Sequence, residues 1–363
     1  MSHSGKVLAF IGSYAESDTP GVYACSYDPV TGELAILDSL VGLANPTFLT
    51  VSENRHMLYA ITESKDEQGN RVGSVAAIQI AKGSGKLSLL DQADTTPAPT
   101  CHITLDRQEK HLIVSSYHGG MVGVSPIGED GLVGAISDLH THVGGSGVHP
   151  AQSQPRAHSA FIDAENRFVL VQDLGADRIY TYKWEADAGK LVPHGSVNVA
   201  AGAGPRHLVF HPTAPYAYVI NELNATITAF AYTSSDGQLV EQQTVSTLPS
   251  GYADDNACAD IHISPDGRYL YGSNRGHDSI VVFAIDAERG TLTYVDHSSS
   301  GGGHPRNFAI SPDGAYLLSA NRDSNNIVTY KRDSATGKLQ AAGSELTISK
   351  PVCVKITGIP YQG

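Results

Sequence analysis

A single module recurs about seven times along this chain, and that repetition restricts the fold to an array of similar units. Each copy reads as an apolar strand, a tight turn, a second strand ending in a polar residue, then more strand and a Gly-x-Leu signature. The clearest copies open at Gly204-Pro205-Arg206-His207-Leu208, Asp260-Ile261-His262-Ile263-Ser264-Pro265-Asp266-Gly267 and His304-Pro305-Arg306-Asn307-Phe308. Aligned on Pro46, Pro99, Ala157, Pro205, Cys258, Pro305 and Pro351, successive copies lie 46 to 58 residues apart. That spacing suits a four-stranded β-propeller blade and is too long for a helical solenoid unit.

Strand chemistry agrees with the spacing. Phe168-Val169-Leu170-Val171 and Ile280-Val281-Val282-Phe283 are β-branched or aromatic runs too short for helices. Pro265-Asp266-Gly267 and Pro312-Asp313-Gly314 carry the residues a hairpin turn needs. The first copy begins at Val7 without an opening strand, whereas Pro351-Val352-Cys353-Val354-Lys355-Ile356 is an opening strand with no copy after it. The C-terminal strand is therefore expected to complete the N-terminal blade, closing an all-β, seven-bladed propeller of antiparallel blades and hiding two sheet edges. No linker interrupts the repeat, so residues 1–363 read as one domain.

Composition narrows the partners. Lys and Arg total 24 against 37 Asp and Glu, a net charge of -13, which argues against a nucleic-acid surface. Hydrophobic residues come in short runs, so nothing in the pattern spans a membrane. Residues Met1 to Lys6 are too short and polar for a secretory signal. Cys25, Cys101, Cys258 and Cys353 lack CxxC spacing and read as reduced, buried thiols of a cytoplasmic protein.

Blade topology also predicts where a site forms. The start of each first strand and the end of each second strand share one rim of the central channel. The first set comprises Thr47, Thr100, His158, Arg206, Ala259, Arg306 and Val352; the second comprises Glu63, His118, Leu174, Glu222, Arg275 and Arg322. Taken singly, His158 could be a structural histidine, Arg206 and Arg275 inter-blade ion pairs, and Glu222 a turn cap. Their convergence from separate blades points instead to chemistry. His140, His142 and His149 have loosely metal-like spacing but sit in a Gly-rich stretch without an acidic or Cys partner, and no metal is expected there. Trp184 falls in strand pattern and reads as core.

At these residues the chain resembles the seven-bladed propeller lactonase family, which includes propeller-type bacterial 6-phosphogluconolactonases and fungal carboxymuconate-lactonizing enzymes. The resemblance runs over essentially the whole chain. It is carried by Pro155-Arg156-Ala157-His158-Ser159, Asp173-Leu174-Gly175-Ala176-Asp177-Arg178, Gly204-Pro205-Arg206-His207, Asn221-Glu222-Leu223 and Ser273-Asn274-Arg275. It implies a catalytic quartet at His158, Arg206, Glu222 and Arg275, the same four that the rim argument reaches. Arg306, Arg322, His118, Glu63 and His207 are the expected substrate contacts. Many relatives carry a histidine where this chain has Arg156, which leaves contacts near that loop open.

The implied reaction is hydrolysis of a small anionic sugar-acid lactone, 6-phosphoglucono-1,5-lactone above others, by a monomer or weak homodimer. His158 would be the base, with Glu222 holding its tautomer or serving as the alternative base. Arg206 and Arg275 would stabilise the oxyanion and bind the substrate anion. No metal or organic cofactor is called for, because a lactone is already an activated acyl group. Two other readings stay open: a muconate-type lactonizing cyclase, and a noncatalytic interaction scaffold. Loops 64–73 and 138–156 are expected to shape the mouth.

Overall fold

The computed structural model describes residues 5–363; the reading of a signal-free start at residues 1–4 lies outside them. Seven four-stranded antiparallel sheets follow one another round a channel, with residues 49–94, 102–141, 157–198, 205–246, 257–299 and 305–347 forming six of them. The remaining sheet combines Val7–Ser13, Val22–Tyr27 and Leu34–Leu40 with the C-terminal strand Pro351–Pro360. Pro351 pairs with Ser13 and Val354 with Ile11, so the last strand closes the ring as its first-strand sequence requires. No helix among the described residues is long and apolar enough to cross a membrane.

The apolar runs fill the spaces between neighbouring sheets. Between the fifth and sixth blades in chain order, Ile220, Ile227, Leu270 and Val281 are fully buried against one another. Burial of each such side chain is worth roughly 1.5–3 kcal/mol. Trp184 joins the corresponding cluster between the third and fourth blades.

The Gly-x-Leu signature has two jobs. Its leucine wedges between blades: Leu191, Leu239 and Leu292 are buried although the rest of their outer strands is exposed or only half-buried. Its glycine turns the hairpin before the outer strand. Gly337 has φ +75°, and a Cβ there would collide with the Tyr269 ring of the preceding blade. Its carbonyl accepts a 2.8 Å hydrogen bond from the Tyr271 hydroxyl, tying the two blades. Tyr218 to Gly290 and Tyr59 to Gly131 repeat that tie at 2.9 Å.

Two expectations need correction. Residues 64–73 are not a loose loop: the strands Met57–Lys65 and Arg71–Ile80 continue through it, leaving a short Asp66–Asn70 turn held by the Asp66 carboxylate. Cys25, Cys258 and Cys353 are free and buried, but Cys101 is only partly so.

Candidate active site

The innermost strands do not pair evenly where the site forms. Ala157 faces Asp173 and Ser159 faces Gln172, leaving His158 as an extra residue in a β-bulge. The same shift between Pro205 and His207 frees Arg206, and that between Pro305 and Asn307 frees Arg306. A bulge breaks the strict alternation of a strand and re-aims one side chain. The backbone carbonyls of these segments find partners next door: Cys101 Sγ lies 3.1 Å from the His158 carbonyl, Ser159 Oγ donates to that of Arg206 at 2.6 Å, and Arg206 Nη1 donates to that of Ala259 at 2.6 Å.

At the ends of the second strands, Glu222 and Arg275 complete the group. The carboxylate oxygen Oε2 of Glu222 accepts from Arg206 Nε at 2.8 Å and Arg275 Nη2 at 2.9 Å. Burial by itself would raise the Glu222 carboxyl, but Arg275, Arg206 and Arg306 outweigh it and hold the group below the usual carboxylate range. Oε1 makes no hydrogen bond and is not sealed off. Arg275 is fixed further by donating to the carbonyls of Ala257 and Cys258, at 3.1 and 2.6 Å. Burial, with repulsion from Arg306 and Arg275, brings Arg206 down to about 9, so it stays charged at neutral pH.

His158 is 4 % exposed. Burial, and then the charge of Arg206, holds its imidazole well below the ordinary histidine range, so at neutral pH it is uncharged. Its Nδ1 is buried without a partner, leaving Nε2 as the nitrogen turned to the open space. The expected hydrogen bond between His158 and Glu222 is not made: the two arginines hold the Glu222 carboxylate through Oε2. The His158 ring instead packs edge-on to Tyr117 and to His207, with centroids 5.8 and 5.4 Å away. Because Arg206 Nη1 lies 3.3 Å from His207 Nε2, that guanidinium is within roughly 10 Å of the His158 ring, near enough for one sugar acid to bridge them.

These groups surround a cavity of about 300 Å³ at the rim of the channel, whose walls include His158, Glu222, Arg306, His118 and Glu63. Arg206 and Arg275 stand behind Glu222. Arg306 has no ion pair or side-chain hydrogen bond among the described residues and lies over the Tyr14 ring, 5.8 Å from its centroid. Glu63 is paired with Arg71 and accepts from Asn45 at 3.2 Å.

The remaining candidates lie elsewhere. Arg322 lines an adjoining cavity, which shares Tyr14 and Asn45 with the pit, and is tied to Asp323 at 2.6 Å. His207 faces a separate chamber at the far side of the channel; its Nδ1 meets Asp260 at 2.8 Å. Of the three spaced histidines, His142 bonds Asp173 and Tyr182, His140 bonds Asp138, and His149 caps the 3-10 turn Pro150–Gln152.

Sequence reasoning missed Tyr14, Asn45, Arg71, Tyr117 and Cys101, all on the pit wall. Tyr14 had a signal. Its backbone N–H donates to Lys350 as that of Glu222 donates to Gly204, so it holds the Glu222 position in the first blade. Arg156, the departure noted above, stacks over Tyr117 with its guanidinium carbon 4.9 Å from the ring centroid.

Fold and pit together define a class: a propeller that gathers cationic and acid–base groups from several blades at one mouth of its channel. The chain belongs to the family described as lactonase, 7-bladed beta-propeller, whose model matches residues 8–356. It is 37 % identical to a 6-phosphogluconolactonase of Bacillus subtilis, covering 96 % of this chain and 98 % of the relative. It is 36 % identical to a 6-phosphogluconolactonase of Formosa agariphila, covering 94 % and 96 %. A periplasmic gluconolactonase of Pseudomonas aeruginosa superposes with a TM-score of 0.90 at 27 % identity, covering 98 % of this chain and 100 % of that one.

Proposed function

We propose that this chain hydrolyses 6-phosphoglucono-1,5-lactone to 6-phosphogluconate. The observation that carries the reading is a charge deficit: Arg206 and Arg275 share one carboxylate, Glu222, and Arg306 stands on the same pit wall without an ion pair among the described residues, in a chain whose net charge is -13. A cluster so short of negative charge is completed by an anionic substrate. The naming of the relatives from Bacillus and Formosa supports the phosphorylated lactone in particular.

Water attacks the lactone carbonyl from the His158 side, and Nε2 takes its proton. The ring ester oxygen leaves and receives that proton, giving the hydroxy acid. Oε1 of Glu222 orients the attacking water, and its ionised state comes from the two arginines bound to Oε2. Arg206 Nη2 and Arg275 Nη1 make no hydrogen bond among the described residues, and from behind Glu222 the two guanidiniums favour the oxyanion by their charge. Arg306, which has no competing partner among the described residues, takes the phosphate, with Arg322 beside it in the adjoining cavity. His118 and Glu63 position the sugar hydroxyls, while His207 acts through Arg206. The four free cysteines suit the cytoplasm.

The test is an assay of lactone hydrolysis against phosphorylated and unphosphorylated gluconolactone, corrected for the spontaneous reaction. A kcat/KM at least about tenfold higher for the phosphorylated lactone, the worth of one charge-assisted contact, supports the reading. Rates no faster than the spontaneous reaction with both would refute it.

A further inference from the structure

The channel holds a second chamber beyond His207, of about 340 Å³, at the end opposite the pit. Its charge is unbalanced. Lys355, on the ring-closing strand, is half-buried with its ammonium 4.7 Å from the centroid of the Phe48 ring. Arg107 spends Nε and Nη2 on the carbonyls of Asp163 and Ile162. Neither cation has a carboxylate within ion-pairing distance among the described residues.

The one acid of the chamber is already engaged. Asp260 accepts from His207 at 2.8 Å and from His262 at 3.0 Å, and also from the Asn307 amide. The walls are aromatic. The ring of His102 lies 4.5 Å from that of Phe48 and 4.9 Å from that of Phe161, tilted to them by 40° and 53°, and the three form an aromatic wall beside Lys355. Burial and the neighbouring His207 and Lys355 keep His102 neutral, so it adds aromatic surface rather than charge. A half-buried lysine without a counter-ion among the described residues, set against an aromatic wall, favours a ligand with a carboxylate on a flat apolar body.

We propose that this chamber is a second binding site, separate from the pit, for a small aromatic carboxylate. The carboxylate pairs with Lys355 and the ring lies against Phe48, His102 and Phe161. The site does not depend on the reaction proposed for the pit.

Benzoate is the probe, titrated into the full-length protein by calorimetry beside inorganic phosphate. Wild type is expected to bind benzoate with a Kd on the order of 1 mM, and Arg306→Met, which lacks the phosphate contact of the pit, to bind phosphate more weakly than that. Lys355→Met should weaken benzoate at least about tenfold, Lys355→Arg should keep it, and Arg306→Met, which alters the pit, should leave it unchanged. Absence of saturable benzoate binding in wild type overturns the proposal. So does undiminished binding in Lys355→Met, loss in Arg306→Met, or phosphate binding to Arg306→Met as tightly as benzoate does.

Discussion

His207 Nδ1 lies 2.8 Å from Asp260 Oδ1, and this contact fixes which ring nitrogen faces Arg206. With the proton on Nδ1, donated to Asp260, Nε2 accepts from Arg206 Nη1 at 3.3 Å, and the guanidinium is aimed from behind as well as by Glu222. Asp260→Asn keeps the size of the side chain but turns an acceptor pair into a mixed donor and acceptor. It should lower kcat by about tenfold or more with little change in KM, since the loss concerns groups acting on the transition state. Steady-state kinetics beside a melting curve checks it; a change in melting temperature without a kcat effect assigns Asp260 to the fold alone.

Replacing His158 by Ala should reduce kcat by about a hundredfold or more while the ring stays folded. The pH profile is equally informative. The reactive form is neutral, and the folded imidazole titrates well below the ordinary range. Wild-type kcat/KM should therefore show no inflection near pH 6.5 and fall only at more acid pH. An acid limb centred near 6.5 would contradict the lowered titration of His158, and full kcat in His158→Ala would exclude it as the base.

Stability should depend on pH for the same reason. His102 and His158 are pushed well below the ordinary range, and His207 to about 4, in each case chiefly by burial. Below pH 6.5 the unfolded chain binds protons at these sites that the native state refuses. Stability from these histidines is complete above about 6.5 and is lost as pH falls, at up to about 1.4 kcal/mol per pH unit for each. Urea titrations at pH 7.5, 6.5 and 5.5 measure the slope; equal stability at all three contradicts the prediction.

Arg306→Met should raise KM for the phosphorylated lactone by about tenfold or more and leave the unphosphorylated lactone nearly unchanged, since a charge-assisted contact is worth about 1.5–3 kcal/mol. Arg206→Lys should instead damage turnover of both, because Glu222 is met by Nε and Ala259 and His207 by Nη1, two positions that a single ammonium nitrogen cannot occupy. Parallel losses for both substrates in Arg306→Met would move the phosphate elsewhere, with Arg322 next to be tested.

Deleting residues 350–363 removes the strand that pairs with Val7–Ser13 and exposes an edge on the first blade. Soluble folded protein should be lost, as read by yield and circular dichroism. A stable truncated monomer would show that closure by this strand is dispensable.

The repeat made the blades legible because strand period, turn residues and the Gly-x-Leu wedge are local properties, set by backbone sterics and by burial of one side chain per module. The unmatched ends at Val7 and Pro351 similarly announced how the ring closes. His158, Arg206, Glu222 and Arg306 could be named because the repeat places them at one rim. Their relations could not be. Each of His158, Arg206 and Arg306 depends on a bulge that no local signal marks, and Glu222 is claimed by two arginines rather than by His158. His207, one residue beyond Arg206, faces a different chamber. Side-chain direction, partner choice and protonation follow from distances across blades and from the exclusion of water between them, and those exist only once the ring has closed.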